Sequence, residues 1–229
     1  MLRLDLPGVA HLVALGAHPD DIEIGAGGTL LTLAAASPGL RVHYVLLSGT
    51  PERQAEARAA AAAFLPGAEL TYAMHQLPDG RLPAHWGGAK EVIEAAARAV
   101  PAADLVLAPS SQDAHQDHRT VAELVPTAFR DALVLHYEIP KWDGDLGRPT
   151  VYLPLDEPTA RRKVELLHAS FPSQKDRDWW DDEVFLGLAR LRGMECRSRY
   201  AEAFGCPKAV LRLAGPAPAG GAGPASGRE

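Results

Sequence analysis

Val9-Ala10-His11-Leu12-Val13-Ala14-Leu15-Gly16-Ala17 runs straight into His18-Pro19-Asp20-Asp21. The first nine residues form a short apolar run that stops at a polar cluster, as a strand buried on both faces of a parallel sheet does. From Gly25 to Ala36 the pattern becomes helical, with a glycine-rich start suited to close packing on the sheet and Ser37-Pro38-Gly39 as a stop. The same alternation continues along the chain. Strands are predicted at Val42–Leu47, Glu69–Met74, Asp104–Ala108 and Ala132–His136, and helices at Pro51–Leu65, Trp86–Val100 and His118–Asp131. Strand–helix alternation of this kind predicts an α/β fold, a Rossmann-like three-layer sandwich around a mostly parallel central sheet. After Pro140 the rhythm changes, with an extra strand at Val151–Leu155 and helices at Thr159–Ala169 and Asp182–Arg192. Residues 1–213 read as a single domain, and 214–229, almost wholly Ala, Gly, Pro and Ser, as a disordered tail.

Two polar clusters fall just beyond predicted strands. One is His18-Pro19-Asp20-Asp21; the other, roughly a hundred residues on, is His115-Gln116-Asp117-His118. Ligands of open parallel sheets bind beyond the carboxyl ends of the strands, where both clusters lie. Between them they offer two imidazoles and a carboxylate for one divalent ion, with carboxylates left over for proton transfer. A catalytic zinc takes three protein ligands and lowers the pKa of its bound water to about 7, which is hydrolase chemistry. His115 is placed to stabilise an oxyanion or donate a proton, and Asp117 to orient His115 and keep it charged. Each cluster alone is weak, since His-Pro-Asp is ordinary turn chemistry and His115 and His118 are natural helix-start residues. Spacing does not say which aspartate meets the metal.

The bulk numbers narrow the class. The chain has 229 residues, 47% hydrophobic and 23% charged, within the range of one globular domain. A net charge of −6 with no Lys/Arg run argues against nucleic acid as a partner. No apolar segment approaches membrane length, and the start of the chain lacks a signal-peptide pattern. Cys196 and Cys206 form no Cys-x-x-Cys pair, so a reduced, cytoplasmic setting is expected. Gly25-Ala26-Gly27-Gly28 invites a dinucleotide reading, but the spacing misses Gly-x-Gly-x-x-Gly and two aspartates precede it where a pyrophosphate would sit.

The markers resemble those of the zinc-dependent N-acetylglucosaminyl deacetylases, the LmbE-like or PIG-L-like family. The match runs from Ala17 to about Phe204. It is carried by Ala17-His18-Pro19-Asp20-Asp21 with Gly25-Ala26-Gly27-Gly28-Thr29, and by His115-Gln116-Asp117-His118-Arg119. Weaker markers are Arg53-Gln54-Ala55-Glu56-Ala57, Asp79-Gly80, Ser173-Gln174 and Tyr200-Ala201-Glu202-Ala203-Phe204. The resemblance implies zinc bound by His18, Asp21 and His118, with Asp20 as general base; on ligand chemistry alone iron(II) fills the same donors. It implies His115 as oxyanion stabiliser or proton donor, Asp117 tuning it, and Arg53 touching the sugar. Family versions often carry a glutamate directly after the paired aspartates; here Ile22 intervenes before Glu23, which leaves Glu23 without a role.

Removal of the N-acetyl group from an amino sugar or its conjugate is therefore the expected activity. The alternatives are a metal-dependent deacylase of another small amide and a Rossmann-like binding module that uses no metal. The expected partner is a small amino-sugar substrate, with neither nucleic acid nor membrane; a homo-oligomer is compatible with the sequence. Arg53 reads equally as a helix-surface cation paired with Glu56. Tyr137-Glu138-Ile139-Pro140-Lys141-Trp142 reads as a sugar-facing segment or a packed corner, and Trp179-Trp180 as a lid, an oligomer contact or ordinary packing. His75 and His85 flank Asp79-Gly80 and read as solvated loop residues.

Overall fold

The computed structural model describes residues 4–6 and 8–211, so the limit at 213 and the tail at 214–229 lie outside the described residues. Seven strands form one sheet: β1 (His11–Gly16), β2 (Arg41–Ser48), β3 (Glu69–Leu77), β4 (Leu105–Pro109), β5 (Leu133–Tyr137), β6 (Val151–Leu155) and β7 (Tyr200–Gly205). Their order is β3-β2-β1-β4-β5-β7-β6. β1 to β5 pair in parallel, and only β7 runs antiparallel to its neighbours β5 and β6. The expected α/β sandwich with a mostly parallel sheet is the fold observed.

Helices α1 (Asp21–Ala36), α2 (Pro51–Phe64), α5 (Glu157–Ser170) and α6 (Asp182–Cys196) cover one face, and α3 (Trp86–Ala99) and α4 (Gln116–Ala128) the other. Successive strand residues point to opposite faces. Leu12 and Ala14 therefore enter the core beneath α1, α2 and α5, while Val13 and Leu15 enter the one beneath α3 and α4. This two-sided burial is why β1 reads as an unbroken apolar run. From β3 at the edge the chain crosses back to β4 on the far side of β1. The crevice of the fold opens between the carboxyl ends of β1 and β4, and both polar clusters leave from there.

Two features depart from the sequence expectation. β7 is absent from it, because a strand with a glutamate at its centre does not look buried; Glu202 is only 5% exposed, and Lys163 pairs with it. The first helix begins at Asp21 rather than Gly25, behind a left-handed Asp20 (φ 108°), so Asp21 belongs to a first helical turn. The glycines that follow permit contact. A Cβ on Gly25 would collide with the Tyr137 ring, and one on Gly27 would stand 2.6 Å from Phe64. Tyr137 cannot yield easily, being fully buried with its hydroxyl donating to the Leu15 carbonyl at 2.7 Å. Gly25→Ala is therefore expected to cost about 1–3 kcal/mol. In a domain of this size that lowers the melting temperature by about 2–4 °C per kcal/mol. An unchanged thermal unfolding curve would contradict the packing described.

Trp180 is buried against Phe171, Phe185 and His168, which is ordinary packing. The Tyr137–Trp142 segment is mostly a packed corner: Glu138 pairs with Arg192, Ile139 is buried, and only Trp142 stands 62% exposed. Among the described residues no helix is long and apolar enough to cross a membrane.

Candidate metal centre

The loop after β1 and the first turn of α1 supply His18, Asp20 and Asp21; the loop after β4 and the first turn of α4 supply His115, Asp117 and His118. The hundred residues between the clusters vanish in space. His18 Nδ1 lies 3.1 Å from His118 Nε2, His118 Nε2 lies 3.3 Å from Asp21 Oδ1, and His18 Nδ1 lies 3.6 Å from Asp21 Oδ2. Tetrahedral zinc with donors about 2.0–2.2 Å away separates them by about 3.3–3.6 Å; the spacings here lie near that range, with Asp21 meeting His118 through Oδ1 and His18 through Oδ2.

The outer atoms of both rings explain their inner ones. His118 Nδ1 meets Asp113 Oδ2 at 2.7 Å, which keeps its proton on Nδ1 and turns the Nε2 lone pair inward. His18 Nε2 faces Asp117 Oδ2 at 3.2 Å and Asp79 Oδ1 at 3.0 Å, which turns its Nδ1 lone pair inward in the same way. Two ring nitrogens and a carboxylate thus converge on one point, an arrangement that positive charge relieves, whether an added proton or a metal ion. Protonation tells the same story. Burial alone would lower the His118 pKa, but the charge of Asp21 and the hydrogen bonds that Asp113 and Asp21 accept from the ring raise it to about 9. His18 is likewise carried well above its usual value, against its burial, by Asp21 with help from Asp117 and Asp79. Asp21 is held well below the carboxylate range, against its own burial, by the two imidazoles.

Asp20 sits apart from this triangle. Its Oδ2 accepts from Arg53 Nη2 at 3.0 Å, and the same nitrogen donates to the Pro19 carbonyl at 2.5 Å. Oδ1 has no hydrogen-bond partner among the described residues. Burial pushes the Asp20 carboxyl up to about 7; the Arg53 guanidinium opposes the rise and the Asp21 charge adds to it. Arg53 therefore faces the site. Glu56, its expected surface partner, instead holds Ser173 through its backbone N–H and hydroxyl.

His115 is half-buried and stacks on His118, with ring centroids 4.7 Å apart; it meets His18 edge-on at 4.8 Å. One nitrogen from each of the three imidazoles lies within 4.8 Å of the others, so His115 is a further candidate ligand. The expectation that Asp117 orients and charges His115 is not what the geometry gives. The Asp117 carboxylate turns to His18 and accepts the backbone N–H groups of Gly80 and Leu82, at 2.7 and 3.0 Å. What reaches His115 is the backbone N–H of Asp117, which donates to Nδ1 at 3.2 Å as a helix cap. Burial, then the neighbouring His118 and His18, push the His115 pKa down, which favours the neutral ring; with Nδ1 accepting the Asp117 N–H, the proton of that ring belongs on Nε2.

Sequence reasoning missed Asp113 and gave Lys141 no part in the metal centre. Against its burial, Asp113 is held down at about 2 by His118 and then by Lys141, whose ammonium lies 2.9 Å from Oδ1. Asp143 and Asp145 flank the same ammonium at 3.5 and 3.6 Å, and Asp145 also accepts the Ala114 N–H at 2.5 Å. The loop after β5 thereby braces the loop that carries His115. An acid five residues before His118 gives no signal in a chain with 29 acids. Glu23, without a role in the sequence, is fully buried beneath the site; burial pushes its carboxyl up to about 8, and the Tyr44 hydroxyl donates to it at 3.0 Å.

Comparison with known proteins adds a family. The chain matches the family described as PIG-L, GlcNAc-PI de-N-acetylase, over residues 13–129, just over half its length. Among solved structures it is similar to a conserved protein from Thermus thermophilus, at 22% identity and TM-score 0.69, covering 90% of this chain and 97% of that one. It is also similar to N,N'-diacetylchitobiose deacetylase from Pyrococcus horikoshii, at 18% identity and TM-score 0.66 over 86% and 84% of the two chains. The 4-carboxy-2-hydroxymuconate hydratase of Pseudomonas putida is similar at 20% identity and TM-score 0.68, over 89% and 99%. Identities this low establish a common fold, and neighbours with different reactions show that the fold alone does not choose the chemistry.

Proposed function

The chain belongs to the PIG-L family, and from that premise we propose that it is a zinc-dependent hydrolase removing the N-acetyl group from an amino sugar or its conjugate. The observation that carries the proposal is the inward-facing pair of lone pairs on His18 and His118 with the Asp21 carboxylate beside them. These three would hold the ion, and Asp113 and Asp117 would fix the two rings from outside. When bound, a divalent ion supplies Lewis acidity, lowering the pKa of a water and polarising the amide carbonyl; zinc suits two nitrogens and one oxygen, and iron(II) fits the same donors.

The chain's own residues do the rest. Asp20 acts as general base: Arg53 pins one of its oxygens, and the other is free to take a proton from the attacking water. The proton held on Asp20 is then available to the departing amine. His115, neutral and carrying its proton on Nε2, donates to the oxygen that becomes negative as the carbonyl carbon turns tetrahedral. Arg53, 24% exposed at its side chain, lines the sugar side of the site. Neither cysteine is in a disulfide, which supports work in the reducing cytoplasm.

An acetate-release screen over free and conjugated N-acetylglucosamine tests this reading. The zinc-loaded protein is expected to release acetate from at least one of them, to lose that activity more than about a hundredfold on thorough chelation, and to regain it with zinc. Acetate release that survives chelation would overturn the metal role. A protein that binds zinc yet cleaves only other amides would be the metal-dependent deacylase alternative, and one that takes up no zinc would be the binding module.

A further inference from the structure

Helix α1 is two helices, and charge fills the break between them. Ala26 leaves helical geometry (φ −138°, ψ 15°), so the turn Asp21–Gly25 is separated from the remainder. In an unbroken helix the Gly28 N–H would bond to the Ile24 carbonyl, four residues back. Here Gly28 N–H donates to Glu202 Oε1 at 2.8 Å, Lys163 Nζ donates to the Ile24 carbonyl at 2.6 Å, and Lys163 Nζ meets Glu202 Oε1 at 2.6 Å. An ion pair from β7 and α5 is thus spliced into one backbone hydrogen bond. Glu202 Oε2 also takes the Thr29 N–H and hydroxyl, at 2.7 and 2.6 Å.

The signs suit the helix ends: an ammonium caps the carboxyl end of the first turn, and a carboxylate caps the amino end of the second segment. Both side chains are buried, at 7% and 5% exposure. Gly27 and Gly28 leave the room, since a Cβ on either would press to 3.2 Å on Lys163 Cγ or Glu202 Oε1. Preceded by left-handed Asp20 and followed by Ala26, the first turn is free to take its own direction, and it carries Asp21.

We propose that the Lys163–Glu202 pair is a positioning device that sets the direction of the Asp21 turn against His18 and His118, and through it the affinity for the cation. This rests on the reading of Asp21 as a ligand. Buried ion pairs add little net stability over apolar substitutes, whereas a fixed break in a helix directs what lies beyond it.

Zinc affinity and thermal stability, measured together, separate positioning from mere support. Lys163→Met or Glu202→Gln alone leaves a buried charge unpaired, and both stability and zinc binding are expected to fall. The double variant Lys163→Met/Glu202→Leu leaves no charge; the Gly28 and Thr29 N–H groups can turn to the Ile24 and Gly25 carbonyls four residues back, and the Thr29 hydroxyl to the Gly25 carbonyl, as in an unbroken helix. It is expected to regain most of the melting temperature of the metal-free protein yet bind zinc about tenfold or more weakly, by competition with a chromophoric chelator. Zinc affinity within about twofold of the unaltered protein would overturn the proposal, because a supporting role returns with stability. Should the double variant not fold, Thr29→Val removes only the hydroxyl bond to Glu202; it is expected to weaken zinc about two- to fivefold, and unchanged affinity there would overturn the proposal equally. Failure of the unaltered protein to bind zinc would sink the metal reading itself, a distinct result.

Discussion

Asp20→Asn is expected to keep about one zinc per chain and to lower acetate release about a hundred- to ten-thousandfold, the usual worth of a general base. The substitution keeps the shape of the side chain and leaves its oxygen able to accept from Arg53 Nη2, so the loop between Pro19 and α1 has no reason to move. Only the ability to take a proton is lost. Asp20 stands outside the triangle of His18, Asp21 and His118, so zinc measured by elemental analysis on purified protein should match the unaltered chain. The two readouts must separate: a variant that loses zinc in step with activity would make Asp20 a ligand and leave the reaction without its base. Removing the pinning group is milder. An Asp20 released from Arg53 keeps the group that takes the proton, but loses its orientation and the charge that opposes the burial-driven rise of its pKa.

The alternation of apolar runs and helical stretches made the sheet legible, because a parallel strand buried on both faces must be apolar throughout, as Leu12 to Leu15 are. β7 was not legible, because what lets Glu202 sit inside the fold is Lys163, a residue 39 positions away whose partner no local pattern names. The start of α1 was misplaced for a related reason. Asp20 adopts a left-handed conformation that composition does not announce, and the break at Ala26 divides the helix at the very glycines read as its beginning. In the site, the paired motifs brought forward the residues that converge. Asp113 and Lys141 stayed hidden because they act on His118 from outside the motif, through contacts that exist only once the loops after β4 and β5 meet. Asp117 was read against its sequence neighbour His115, whereas the fold turns its carboxylate to His18, a hundred residues earlier.

His118→Ala and His115→Ala, three residues apart on one turn, are expected to differ in kind. His118 contributes Nε2 to the converging donors, and its loss leaves one imidazole and one carboxylate, a poor site for zinc. That variant should be purified without stoichiometric zinc and with acetate release lowered more than about ten-thousandfold, near the background of a site without its Lewis acid. The fold should survive, because Asp113 keeps its ion pair with Lys141 and its bond from the His115 N–H. His115→Ala should retain zinc and lose about a hundred- to a thousandfold in turnover, the typical worth of one oxyanion donor. The contrast decides between two ligand sets that the fold gathers, one spaced at 3.1–3.6 Å and the three imidazoles within 4.8 Å of one another. If His115→Ala sheds zinc as completely as His118→Ala, the ion is held by three imidazoles rather than by His18, Asp21 and His118. Asp21 would then join Asp20 as a second carboxylate for proton transfer, and the direction of the first turn of α1 would govern turnover instead of metal affinity.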